Sequence, residues 1–409
     1  MIIELNNPLF KQALPILKQI ESHGYEAYFV GGSVRDYLLE LEIHDIDIAT
    51  SATPEEVKEI FPVTIDVGIE HGTVIVRYKG ESYEITTFRV EGKYSDFRRP
   101  DTVDFVRNLE EDTLRRDFTI NALAIDKEGQ VYDYHGGIAD LNKALIRAVG
   151  NPKERFNEDA LRMLRAIRFA SQLGFEIDSK TMEAIKELAP LIEKIAMERI
   201  LIEFTKFLKG KFFTTQSHTL VSSQLYQYLP FPKTLNIDDL VIRLNNDFKP
   251  FEDNNIEKSD VLVWGNLLFH LGQIYEQDDR QLMRQWKQSN ETTQQSIVFK
   301  ELRKMSIDDI LEPMNLYRYD TKILKLIEKF YLIHGFLTTP LITEKINQLP
   351  IQSRQEMQMN GQQLMTLLEM DRGGPILGQL LGEIEEEIVN SRLANNYHDI
   401  KKYVQLKTL

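Results

Sequence analysis

A chain of 409 residues that is 42% hydrophobic and 27% charged, with 21 Gly and 14 Pro, has an ordinary globular composition, which excludes collagen-like, mucin-like and wholly disordered classes. The absence of Cys removes disulfides, thiolate zinc sites, iron–sulfur clusters and thiol nucleophiles, so any metal must be held by oxygen or imidazole, and a reducing compartment is expected. With 49 Lys and Arg against 63 Asp and Glu, the formal charge of −14 excludes indiscriminate polyanion binding over the whole surface but leaves room for a local basic groove.

The opening residues MIIELNNPLFKQ carry no basic leader before an apolar stretch, and no segment approaches the roughly 18 apolar residues of a membrane span, so a cytoplasmic protein without membrane contact is expected. Up to about residue 146, the runs YFVGG, DIDIAT, GTVIVRYKG, YEITTF and VDFV alternate with helical stretches and are punctuated by Gly, Pro and Asp. That pattern predicts a mixed α/β domain. From Asn157 the strands are expected to stop: Ala160, Leu161, Leu164, Ile167 and Phe169, then Met182, Ile185, Leu188 and Ile192, recur at helical spacing. Basic charge is concentrated here, where Arg147, Lys153, Arg155, Arg162, Arg165 and Arg168 face only Glu154, Glu158 and Asp159. A break in helical periodicity is expected between Pro230 and Asp260, where Pro230, Pro232 and Pro250 accompany FEDNNIEKSD. A last helical segment starts near Ile307, with punctuation at Gly373, Gly374 and Pro375. His270 and Trp286 read as core residues.

The segment FVGGSVRDYLLELEIHDIDIAT, residues 29–50, carries the chemistry. Gly31 and Gly32 follow an apolar strand and precede a helix, so backbone N–H groups can meet a phosphate, with Ser33 and Arg35 adding a hydroxyl and a cation. On its own such a turn serves equally as a tight connection. Asp45 and Asp47 alternate as strand residues do, which places two carboxylates on one face. A divalent cation with oxygen ligands relieves their repulsion, and a solvated acidic turn is the plainer alternative. Glu84 is a third acidic residue in a strand-like run, YEITTF. If Asn157 caps a helix, Glu158 and Asp159 fall in its first turn with Arg162 on the same side, an arrangement that an ordinary ion pair would also explain.

GGSVRD followed by DIDIAT resembles the signature of polymerase-β-type nucleotidyltransferases. Three further blocks, RRDFTINALAID, YDYHGGIADLNKALIRAVGNPKERF and NEDALRMLRAIRFASQLGF, narrow the resemblance to the class II tRNA nucleotidyltransferases, the CCA-adding enzymes. It spans roughly residues 25 to 175 nearly without gaps and continues weakly in MRQWKQSN, NGQQLM and GGPILGQLL, although Gln363 stands where such tails often carry Asp. The resemblance implies an elongated multidomain chain: an α/β nucleotidyltransferase head with a mixed β-sheet at 1–146, then an all-α neck at 147–210, body at 211–305 and tRNA-binding tail at 306–409.

It further implies that Asp45 and Asp47 bind two Mg²⁺ ions with Glu84 as the supporting catalytic carboxylate. Arg116, Asp117 and Asn121 would contact the nucleotide, with Asp117 selecting a ribose hydroxyl and Asn121 one helical turn further on. Asp159 and Arg162 would form a protein template for the incoming base with Glu158 orienting Arg162, and Arg165 would lie close enough to reach a phosphate. The polar run RVEGKYSDFRR after Phe88 matches a loop the family needs for the final A. The implied activity is template-independent addition of C, C and A to tRNA from CTP and ATP, with the tRNA held at acceptor end and elbow. A poly(A) polymerase, a CC-only enzyme and a non-catalytic RNA-binding relative are the competing readings. The oligomeric state stays open, a homodimer included.

Overall fold

The computed structural model describes residues 1–67, 72–92 and 103–408. They form two compact units, one of Met1–Phe248 with Arg284–Lys287 and one of Lys249–Met283 with Gln288–Leu409. The strands are β1 (Ala27–Val30), β2 (Asp47–Thr50), β3 (Thr64–Asp66), β4 (Thr73–Tyr78), β5 (Glu81–Thr87), β6 (Arg89–Glu91), β7 (Val103–Phe105), β8 (Ala124–Ile125), β9 (Val131–Tyr132), β10 (Leu145–Ile146) and β11 (Glu176–Ile177).

Seven of them build the mixed sheet of the first unit in the order β3-β4-β5-β2-β1-β8-β9. Strand β1, between β2 and β8, buries Ala27, Phe29 and Val30. Helix Pro8–Ser22, capped by Asn7, lays Phe10, Ala13, Ile16, Leu17 and Ile20 into the core at helical spacing. Phe10 meets Phe29 edge-on with ring centroids 4.7 Å apart. Each large side chain so removed from water contributes roughly 1.5–3 kcal/mol. β2 runs antiparallel to β1 but parallel to β5. The crossover it needs runs through helix Pro54–Ile60, whose start is set by Pro54 and a Thr53/Glu56 capping box.

After residue 146 the first unit continues as helices Pro152–Glu158, Leu161–Leu173, Ser179–Leu188 and Met197–Lys209. One strand interrupts them, contrary to expectation: β11 pairs in parallel with β10 in a two-stranded sheet of their own, a long-range pairing that helical spacing along the chain does not disclose. Trp286 is fully buried, stacked on Phe204 at 4.7 Å, and so is a core residue. β6 and β7 pair as a short hairpin, and the polar run between them lies outside the described residues at 93–102.

In the second unit, helices Asp260–Ile274 and Asn290–Lys304 pack around Leu262, Phe299, Leu302, Leu324, Ile327 and Phe330. A second cluster there centres on Ile384, Ile388, Ile400 and Val404. His270 is buried, as a core histidine. The expected break between Pro230 and Asp260 is found as two non-helical stretches, 229–236 and 254–259, the second with Asn255 at a left-handed φ of 53°; helix Ile237–Asp253 runs between them and takes Pro250 into its last turn. Helices Ile307–Leu311 and Pro375–Val389 begin where the sequence punctuation places them. Gln363 completes a capping box with Asn360, a local reason for an amide at that position. Among the described residues no helix is long and apolar enough to cross a membrane.

Candidate active site

The site is built on the junction of β1, β2 and β5. Register sets Val30 opposite Asp47, and Asp47 in turn opposite Glu84. Neighbouring strands lie about 4.8 Å apart, so these two carboxylates stand side by side on one face. Asp45 lies just ahead of β2 and outside the strand. Because Ile46 between them is buried, Asp45 and Asp47 still turn to the same exposed side. Desolvation by the surrounding protein, then the charge of Glu84, pushes the Asp47 carboxyl above the usual carboxylate range against the pull of Arg116.

Gly31, at the turn from β1 into helix Gly32–Leu38, has a φ of 71°, and a Cβ there would lie 3.3 Å from Asp47 Oδ2 and 3.5 Å from Arg116 Nη1. Only glycine combines that backbone with that approach. The turn therefore brings main chain to the Asp47 carboxylate. Ser33 does not share in it: its buried hydroxyl donates to the Val30 carbonyl at 2.9 Å and stays off the cavity wall. Arg35 does reach the cavity, braced by Asp36 at 2.8 Å and donating to Asn121 Oδ1 at 2.7 Å.

Asp47 lies between two cavities. The first, about 520 Å³, takes in Gly31, Gly32, Arg116, Asp117, Asn121, Asp159, Arg162 and Arg165. Its lining holds seven arginines against three aspartates, an excess of positive charge within a chain of charge −14, suited to a polyphosphate. The second, about 510 Å³, contains Asp45, Asp47 and Glu84 together with Gln12, His44 and Ser82.

Asp117 anchors the first cavity. Its Oδ1 accepts from Phe118 N at 2.8 Å and from Asn121 Nδ2 at 3.0 Å, while Oδ2 accepts from Arg165 Nε at 2.7 Å. Burial alone would raise this carboxyl, yet the Arg165 charge and the hydrogen bonds outweigh it and hold it far below the usual carboxylate range. Asn121 ends a 3-10 turn, Thr119–Asn121, and does not sit one α-helical turn beyond Asp117; the two side chains meet because that turn folds back. Arg165 pairs with Asp117 and is half-buried, with a third of its side chain still exposed.

The expected helix start at Asn157 is not found. Asn151 accepts from Lys153 N at 3.1 Å with Pro152 in the first turn, an earlier start signal, so helix Pro152–Glu158 ends at Asp159. Asp159 is extended between two helices, and its Oδ1 accepts from Leu161 N at 3.1 Å. Arg162, in the first turn of helix Leu161–Leu173, donates to Glu158 Oε2 and to the Arg115 carbonyl, both at 2.7 Å, and to the Arg155 carbonyl at 3.3 Å. Glu158 thus orients Arg162 from outside the cavity wall.

Several residues of the site were not singled out from sequence. Arg199 clamps Asp159, with Nη2 at 2.7 Å from Oδ2 and Nη1 at 3.3 Å from Oδ1. Asp112, fully buried, accepts from Arg115 Nε at 2.9 Å and Arg116 Nη2 at 3.3 Å. Phe169 floors the cavity beneath Arg35, Arg165 and Arg168, with Arg168 3.9 Å above its ring.

Residues 27–147 match the poly A polymerase head domain, 174–235 the RNA and SrmB-binding site of polymerase A, and 256–404 tRNA nucleotidyltransferase domain 2. The head alone does not separate polymerases that share it. Over the whole chain, the CCA-adding enzyme of Enterococcus faecalis is 45% identical across 387 residues, 94% of this chain and 93% of its own. The CCA-adding enzyme of Streptococcus suis is 43% identical over 98% of each chain. This chain belongs to the CCA-adding enzyme family. The crystal structure of the Bacillus stearothermophilus CCA-adding enzyme in complex with CTP superposes with a TM-score of 0.86 at 35% identity, covering 98% of both chains. Members of this polymerase-β-type group of nucleotidyltransferases generally use divalent metal ions. Among the described residues of this CCA-adding family member, no three His, Asp or Glu side chains are close enough to cage a metal by themselves. The in-register Asp47 and Glu84 carboxylates, with Asp45 beside them, nonetheless supply the hard oxygen donors suited to an ion that keeps waters and takes substrate phosphate oxygens.

Proposed function

We propose that this enzyme adds C, C and A to the 3′ end of tRNA from CTP and ATP, with Asp159 and Arg162 as the protein's template for the base. The observation that carries the base-template reading is the count of hydrogen-bonding capacity left on that pair. Asp159 spends three of about four lone-pair sites on Leu161 N and the two Arg199 nitrogens, which leaves one acceptor. Arg162 commits both Nη1 hydrogens and one Nη2 hydrogen, which leaves donors on Nη2 and Nε. Cytosine and adenine both present an amino donor beside a ring-nitrogen acceptor, the complement of that remainder. Uracil and guanine present the reverse and would leave a carboxylate facing a carbonyl and a guanidinium facing an N–H.

The triphosphate then lies along the arginine-lined cavity toward Gly31 and Gly32, with Asp117 and Asn121 near the ribose and Arg116 beside Asp47. Asp45 and Asp47, supported by Glu84, would hold two Mg²⁺ ions, whose chemistry is to activate the attacking 3′-hydroxyl and neutralise the leaving pyrophosphate. The protein's own part is to keep Asp47 and Glu84 in register and to bring the Gly31 main chain against Asp47. No covalent enzyme intermediate is required. The test is Asp47→Ala in the full chain: incorporation of labelled CMP into tRNA should vanish while tRNA binding by gel shift stays near wild type. Full incorporation by the variant would remove the carboxylate from the reaction.

A further inference from the structure

From Phe204 through Ile237 no Asp or Glu occurs, although the whole chain carries 63, and this stretch holds Lys206, Lys209, Lys211 and Lys233. Within it lies a cavity of about 280 Å³ lined by Tyr226, Tyr228, Phe231, Pro232, Lys233 and Leu235, together with Gln227. It is separate from both cavities that meet at Asp47. Three aromatic rings and one cation line it, and no carboxylate does.

The back wall is rigid. Phe231 is buried, edge-on to Trp286 at 5.4 Å and to Phe204 at 5.8 Å. Tyr226 and Tyr228 are half-buried on the 3-10 turn Leu225–Tyr228, which the chain enters through Gln224 at a left-handed φ of 60°. Lys233 is exposed, and its Nζ donates to the Gln227 carbonyl at 2.9 Å, which leaves two of its three N–H donors for another partner.

We propose that this cavity seats one unpaired base of the RNA substrate, stacked against Tyr226 and Tyr228 with Lys233 on its phosphate; the proposal rests on the reading of the chain as a tRNA nucleotidyltransferase. Its volume falls just below the roughly 300–1,000 Å³ of sites for drug-sized ligands, so a single planar base suits it better than a longer apolar ligand. Aromatic faces beside a cation, in a lining without a carboxylate, are a means by which proteins hold single-stranded nucleic acid: the rings take the base and the cation takes the backbone. The cavity falls within residues 174–235, which match an RNA-binding family region whose description names no residue.

The experiment measures CTP incorporation by the full chain while a tRNA lacking its 3′ CCA is varied. Tyr226→Ala and Tyr228→Ala should each raise KM for tRNA roughly 5- to 100-fold. They should leave KM for CTP, kcat at saturating tRNA and the thermal midpoint unchanged, and Tyr228→Phe should restore the wild-type KM. The exposed Lys233→Glu should raise KM for tRNA and flatten its dependence on salt by about one unit of log–log slope. If a Tyr variant melts early, Lys233→Glu decides. Wild-type KM for tRNA and wild-type salt slope in all of these variants would overturn the proposal and leave the cavity to a protein partner. No incorporation by the wild-type chain would instead overturn the reading on which the proposal rests.

Discussion

Removal of the Asp112 carboxylate is expected to damage the site from behind. The side chain, on helix Leu109–Leu114, has no solvent exposure, accepts from Arg89 N at 3.2 Å and pairs with both Arg115 and Arg116. Burial alone would raise this carboxyl, but the charges of Arg115 and Arg116 overcome it and hold it below the usual carboxylate range. Asp112→Ala removes an acceptor shared by two guanidinium groups and a backbone N–H. Breaking a buried charge pair costs about 3–5 kcal/mol. The Arg115 and Arg116 side chains keep 17% and 16% exposure, so water partly rehydrates them and the lower figure, about 3 kcal/mol, applies. Arg116 would also lose its tether beside Asp47 and Gly31, and misplacement on that scale reduces kcat/KM for CTP by about 10- to 100-fold. Urea unfolding followed by hydrogen exchange of peptides from residues 81–91 reads the first effect, and CTP titration reads the second. A loss under about 1 kcal/mol together with wild-type kcat/KM would refute the reasoning.

Arg162→Ala should relax discrimination against UTP and GTP by about 100-fold or more in competition assays, and Arg162→Lys should not restore it, since an ammonium lacks the planar fork; unchanged discrimination removes the base-template argument. Arg199→Ala should free Asp159 to swing and raise KM for both CTP and ATP by about tenfold, read by steady-state titration of each nucleotide. Acidification tests Asp117: its folded-state value is the depressed one, so its stabilisation is complete above the unfolded value of about 3.9 and is lost as pH falls below it. Asp117→Asn should therefore flatten the acid limb of the stability curve below about pH 4, and identical limbs in the two proteins would contradict the assignment.

What the sequence disclosed followed from local rules. Period-two alternation puts Asp45 and Asp47 on one side even though only Asp47 lies within the strand, since Ile46 must be buried. The pairing of Asp47 with Glu84 is a matter of register between strands far apart in the chain, and spacing alone could not supply it. Ser33 looked like a phosphate ligand because a Gly-Gly-Ser turn offers a hydroxyl; its inward hydrogen bond is a tertiary outcome. The helix does not start at Asn157 because Asn151-Pro152, six residues earlier, is the stronger start signal. Asp112 sits in an acidic run, EEDTL, that reads as solvated helix surface. Arg199 carried one faint signal: a cation in the first turn of a helix opposes the macrodipole, which marks it as recruited to a partner.

The most direct measurement offers the enzyme a tRNA transcript ending at its discriminator base, with Mg²⁺ and CTP alone, ATP alone, both, or all four nucleotides, and resolves the products at single-nucleotide length. Two additions with CTP, three with CTP and ATP together, and no further growth with all four nucleotides are predicted. A ladder of A residues, a halt after two additions with both nucleotides present, or incorporation of U or G would contradict the account.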